Sequence, residues 1–208
     1  MENLDNNINK KDKIINSAIE LFADKGFDRT SIRDISRLAN TSVSIISYHF
    51  GGKEGLYNSI LKNLFEKQIL YMNEFFEPEK FVHLAKTQKA EVFLNALDKI
   101  VDFLYSQMSS KLMVFLVKEQ QNPKTAFMPP VIPFLRKIMA DILDVEETSR
   151  EVVYQTLFIV SQINSPRIIS KFITPYGQGK FEEDDINLIK NNVKNYTKMI
   201  FQNAGIDL

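Results

Sequence analysis

The chain has 208 residues, with 26 Lys and Arg balanced by 26 Asp and Glu, no cysteine and only two histidines, His49 and His83. Without cysteine there are no disulfides, thiolate metal sites or cysteine nucleophiles, and two histidines so far apart match no zinc-ligand spacing. The N-terminus is polar, without the apolar core of a signal peptide. The longest strongly apolar runs, such as 112–117, fall well short of the roughly 20 residues of a membrane span. A soluble, cytoplasmic protein without cofactor or metal is therefore expected. Net charge is zero and residues 1–62 hold nine basic against eight acidic side chains. Any case for a polyanionic partner must come from a motif.

Apolar residues recur at spacings of three and four, so an all-α fold is expected. The first eight or so residues read as disordered. A first helix then carries Ile15, Ala18, Ile19 and Phe22 on one face and closes at Gly26, where a left-handed cap is wanted. Ser31 reads as an N-cap, with Asp34 completing a capping box, for a short helix 32–39. Asn40 and Thr41 turn the chain, Ser42 caps a second short helix, 43–50, and Gly51-Gly52 breaks it. A long helix, 53–76, follows and ends before Pro78.

Beyond a polar loop at 79–89, helices are expected at 92–108, 112–121, the later part of 126–143, 147–163 and from 186 onward. The 147–163 stretch is apolar nearly all round, which predicts burial on most sides. Ile186, Ile189, Val193, Tyr196 and Ile200 step by three and four, as in a helix packed on a partner helix. Two domains result: residues 1–52, and a larger helical part, 53–208, joined by the 53–76 helix.

Two short capped helices around a tight turn make a helix-turn-helix. Ile46 and Phe50, four apart, can anchor the second helix to the core. Val43, Ser44, Ser47, Tyr48 and His49 are then left for its outer side, sized for a major groove about 12 Å wide.

Thr30–Ala39, Ser42 and Tyr48–Tyr57 together resemble the signature of TetR-type transcriptional regulators over roughly residues 11–58. The pattern departs from that family at Ser36, Asn40, Ser44 and Ser47. Lys118–Phe127, Ser165–Ile169 and the segment from Asp185 to Ile206 resemble, more loosely, TetR regulators with a YbiH-like ligand-binding domain. The resemblance implies a dimeric repressor that holds a palindromic DNA operator and is released by a small, apolar or amphipathic effector. It implies DNA contacts from Ser31, Arg33, Val43, Ser44, Ile45, Ser47, Tyr48, His49 and Lys53. Val43 and Ile45 offer methyl groups, whose natural major-groove partner is thymine; replacing thymine by uracil tests that pairing.

The aromatic and methionine residues of the C-terminal part are first of all core, but such side chains also line adaptable pockets. Met72, Phe76, Phe103, Met113, Phe127, Tyr154, Gln155, Phe158 and Gln162 are the pocket candidates. Val153, Leu157, Val160, Ile186, Ile189, Val193, Tyr196 and Ile200 are the expected dimer interface. An enzyme is the first competing class, disfavoured because no nucleophile, phosphate-loop or metal motif is present. A helical adaptor with a degenerate, non-DNA-binding motif is the second.

Overall fold

A computed structural model describes the backbone of residues 2–121, 128–169 and 181–208, and the side chains of those residues from Lys10 onward. Among the described residues there are ten helices and no strand. They are α1 (Glu2–Lys25), α2 (Ile32–Leu38), α3 (Val43–Phe50), α4 (Lys53–Phe75), α5 (Pro78–Phe81), α6 (Lys86–Gln107), α7 (Ser110–Gln120), α8 (Val131–Leu143), α9 (Arg150–Ile168) and α10 (Glu183–Asn203). No single helix among these residues is long and apolar enough to cross a membrane.

Several boundaries differ from the sequence expectation. α1 already runs from Glu2, so the start expected to be disordered is helical. Extending an existing helix costs only one residue's freedom per hydrogen bond gained, which a polar segment can meet. The polar loop holds a single turn, α5, opened by Pro78 at its first helical position, and α6 begins at Lys86. α9 continues past Ile163 and through Pro166.

The helices group into two units, and the division does not follow the expected break at residue 52. The first holds α1–α3, α4 as far as Glu66, and α7. The second holds α4 from Lys67, then α5, α6, α8, α9 and α10.

In the first unit, Phe22 of α1 meets Phe27 and Phe115 with ring centroids 5.4 Å apart in each pair. Tyr57 of α4 lies edge-on to Phe27 at 4.7 Å and to Phe115 at 5.7 Å. Each such pair contributes about 0.5–1.5 kcal/mol beyond burial. Polar contacts fix how α7 attaches. The Lys118 ammonium donates to the carbonyl of Ala23 and, at 3.2 Å, to that of Asp24, filling acceptors left open at the end of α1. Lys111 pairs with Asp24 at 2.6 Å. The Tyr57 hydroxyl donates to buried Glu119 at 2.7 Å.

In the second unit, α10 lies antiparallel on α6. Lys190 reaches Asp102 at 2.6 Å and Lys194 reaches Asp98 at 2.8 Å, two pairs that step in opposite directions along the two helices. Phe93 and Phe201 meet beneath them, centroids 5.7 Å apart. Buried Arg167 donates to the carbonyls of Leu104 (2.6 Å) and Met108, closing the end of α6. Its guanidinium stacks over the Tyr105 ring at 4.9 Å.

This packing corrects the expected dimer seam. Val193 is 1% exposed and Ile200 6%, with Ile189 also buried, so these residues are used up inside the chain. Ile186, Tyr196, Val153 and Val160 are half-buried. Leu157, at 52% exposure, is the one member of the expected set that stands free. The burial expected for α9 is corrected too: Tyr154 and Phe158 are exposed beside Leu157. One face of α9 is apolar and uncovered, and a composition that is apolar all round could not reveal which.

Candidate nucleic-acid interface

The short helices of the first unit are made by their caps. At α2 the Ser31 hydroxyl accepts from the Asp34 N–H at 3.1 Å and donates to the Asp34 carboxylate at 2.8 Å. That carboxylate also accepts the Ser31 N–H at 3.2 Å. The Ser31 hydroxyl and N–H hold the Asp34 carboxyl below its usual range. Asn40 takes a left-handed backbone, φ 50°, which asparagine tolerates, and turns the chain. The Ser42 hydroxyl accepts the N–H of Ile45 at 3.3 Å, starting α3, and Gly51, φ 75°, ends it.

α3 is pinned along one side by fully buried Ile46, with Ile45, His49 and half-buried Phe50 beside it. The opposite side carries Val43, Ser44, Ser47 and Tyr48, all exposed, and Tyr48 is 85% exposed with its ring against His49 at 5.1 Å. Tyr48 is thus no packing residue of this chain. Ile45 sits at the flank of the outer face, so the methyl surface presented outward is chiefly that of Val43.

The outer face of α3 carries no formal charge, so cations must come from elsewhere in the unit. Arg33 is exposed on α2. An open cleft of about 510 Å³ runs between α1 and the α2–α3 turn, with Lys10 and Lys13 on one wall and Asn40 and Thr41 on the other. The sequence reading missed these lysines as site residues. The cluster Lys10, Lys11 and Lys13 was the available signal, hidden by near-neutral charge over the whole segment.

Two expected contacts already have partners within the chain. Ser31 spends its hydroxyl on the cap. Lys53, half-buried, donates to the Phe27 carbonyl at 3.0 Å and lies 4.1 Å from the centre of the Phe27 ring. Both still border a shallow cleft formed by Asp28–Ile32 and Gly52–Glu54.

The pocket candidates do not form one set. Met113 belongs to the first unit and the remainder to the second, while Phe127 lies outside the described residues. Met72 and Phe103 line one small interior gap. Phe76 packs on Phe81 and Phe134 instead, centroids 5.2 and 4.9 Å away. Tyr154 and Phe158 face outward, and Gln155 accepts a hydrogen bond from the Tyr196 hydroxyl. Gln162 and Phe158 border an open cleft between α9 and α10, of about 610 Å³.

Residues 14–60 match the family model of "Bacterial regulatory proteins, tetR family", and residues 90–203, more than half of the chain, match that of the "HTH-type transcriptional dual regulator CecR, C-terminal domain". The chain belongs to the TetR family. The first match covers α1 from Ile14 through α2, α3 and the start of α4. Curated relatives of this TetR-family chain are similar over short stretches. The "Probable HTH-type transcriptional regulator YttP" of Bacillus subtilis (strain 168) is 46% identical over 59 residues, 28% of each chain. The "Biofilm operon icaADBC HTH-type negative transcriptional regulator IcaR" of Staphylococcus epidermidis is 44% identical over 55 residues, 26% of this chain and 30% of that one. The chain thus spans under a third of the length of these relatives.

Solved structures share the fold over most of the TetR-family chain. A TetR-like regulator from Rhodococcus sp. RHA1 aligns with TM-score 0.62 at 16% identity, covering 92% of this chain and 95% of the other. FadR from Bacillus subtilis, in complex with stearoyl-CoA, aligns with TM-score 0.51 at 16% identity, covering 89% and 96%.

Proposed function

We propose that this chain is a cytoplasmic, homodimeric transcriptional repressor that binds a palindromic DNA operator through α3 and leaves it when a small-molecule effector binds the second unit. The observation that carries the reading is the outer face of α3. It is a capped, eight-residue rod with Val43, Ser44, Ser47 and Tyr48 exposed along one side. Hydroxyls suit base edges and phosphate oxygens, and a valine methyl suits the thymine methyl. Arg33, Lys10 and Lys13 are placed to hold phosphates, which position the protein without reading sequence.

Dimerisation is supported by the uncovered apolar face of the second unit. Tyr154, Leu157 and Phe158 on α9, with Leu188 and Met199 on α10, stand 47–61% exposed. A two-fold pair of such faces would set two recognition helices about one DNA turn, ~34–36 Å, apart. Repression is supported by the negative regulation named for IcaR, and an effector by the ligand of the FadR structure. Release requires that the effector bind the DNA-incompetent state more tightly. α4 is the element through which it would act, being one helix whose residues to Glu66 belong to the first unit and from Lys67 to the second.

The test is selection of genomic fragments bound by the purified chain, followed by affinity against salt. Log affinity is expected to fall against log salt with a slope near −0.9 per phosphate neutralised, about −4 or steeper for four or more contacts. No retained fragment, or a flat salt response on every fragment, sinks the proposal and favours the adaptor.

A further inference from the structure

The buried stripe of α4 steps by four residues through Leu56, Ile60, Leu64, Gln68 and Met72, and Gln68 is its only polar member. Gln68 is 4% exposed, and its Oε1 has no hydrogen-bond partner among the described residues. A leucine there would continue the stripe without burying an unanswered carbonyl, so the fold alone gives no reason for the amide.

Gln68 borders an interior gap of about 10 Å³, with Tyr71, Met72, Ile100, Phe103, Leu104 and Val131 around it. That volume lies at the lower limit for a single water, so a larger guest has to open the gap. The lining suits opening, because the unbranched thioether of Met72 re-packs readily. Tyr71 and Phe103 lie 5.0 Å apart by centroid, tilted by 34°, and offer ring surface to a flat guest. Among the described residues, no Lys, Arg, Asp or Glu lines the gap.

From this juxtaposition we infer that Gln68 is the polar anchor of the effector site, which takes an uncharged, largely apolar aromatic molecule whose one hydroxyl or N–H donates to Oε1. The inference rests on the effector reading above and gives that effector a chemical class. An anionic head would meet the lone pairs of Oε1 with no cation lining the gap among the described residues, and an ammonium would find no carboxylate lining it. Asp102 and Lys190, whose charges reach Tyr71, are paired with each other at 2.6 Å. Either head would lose its hydration without return.

The probes are 4-pentylphenol, its methyl ether 4-pentylanisole, and 4-pentylbenzoate, titrated calorimetrically into the full chain without DNA. The phenol is expected to saturate. The ether, which keeps the shape but lacks the donor, is expected to bind about 3- to 10-fold more weakly, and the benzoate weaker still. In Gln68→Met the phenol and ether are expected to bind equally. The unfolding midpoint of that variant is expected to rise, since an unpaired buried carbonyl has been removed. Gln68→Leu repeats both readouts should the methionine variant not fold. The inference is overturned by absent phenol binding, by preference for the benzoate, by a phenol-to-ether ratio unchanged in both variants, or by lower midpoints in both. These results are read without DNA, so failure here leaves the operator-binding reading standing.

Discussion

The ammonium of Lys53 and the backbone of Phe27 are held together twice over, by a 3.0 Å hydrogen bond to the carbonyl and by a 4.1 Å approach to the centre of the ring. Lys53 opens α4, and Phe27 lies between α1 and α2, so this contact sets where α4 starts relative to the helices before α3. Its role is positional.

Lys53→Met keeps the stem and removes the charge. It is expected to destabilise the chain by about 1–2 kcal/mol, through loss of a charged hydrogen bond and a cation–π contact. DNA affinity falls while the salt slope stays as in wild type. A slope shallower by about 1.8, one contact in each protomer, would instead make Lys53 a phosphate contact.

Lys10 and Lys13 should behave in the opposite manner. Both are exposed and border the cleft beside the α2–α3 turn. Replacing both by alanine is expected to reduce the salt slope of the dimer by about 3.6, two phosphate contacts in each protomer, with no change in thermal midpoint. An unchanged slope would remove these lysines from the interface.

The dimer face separates from the expected seam by a pair of substitutions. Leu157→Glu places a charge on the free face of α9 and is expected to give a folded monomer by sedimentation, with helical content retained. Val193→Glu, at a position 1% exposed between α10 and its neighbours, is expected to unfold the second unit by burying an unpaired charge. A dimeric Leu157→Glu protein would place the interface elsewhere.

These contrasts mark what the sequence made legible. Ser31 with Asp34, Ser42, Asn40 and Gly26 are local devices, each acting within about four residues, so α1–α3 and their turn can be read directly from spacing. Most of the outer face of α3 follows from Ile46 and Phe50 taken as the buried side; His49, expected on the outer side, is half-buried beside Ile46 instead. The α10 seam could not be decided in that way. Val193 and Ile200 suit a helix of the same chain as well as one from a partner, and it is specific contacts, Lys190–Asp102, Lys194–Asp98 and Phe93–Phe201, that tie α10 to α6. The same holds for α7, whose place beside α1 depends on Lys118 reaching carbonyls some ninety residues earlier.

Alkaline pH offers a further check on the second unit. Burial pushes the Tyr105 hydroxyl up to about 12, and it donates to the Ile163 carbonyl at 2.8 Å. A phenol whose folded value is raised contributes stability that is complete below its unfolded value near 10 and is lost as pH rises through about 12. Between pH 10 and 12 the wild-type unfolding free energy is expected to fall more steeply than that of Tyr105→Phe. Parallel curves would contradict the shift.

The double variant Ser44→Glu, Ser47→Glu tests the central claim most directly, because both side chains are exposed on the outer side of α3. The measurement is affinity for a selected operator fragment, alongside helical content and sedimentation. The expected result is wild-type helicity, an unfolding free energy within about 0.5 kcal/mol of wild type, and unchanged assembly, with operator affinity lowered at least about 100-fold by carboxylates facing base edges and phosphates. Full operator affinity in that variant would mean that the outer face of α3 does not enter the groove, and would contradict the account.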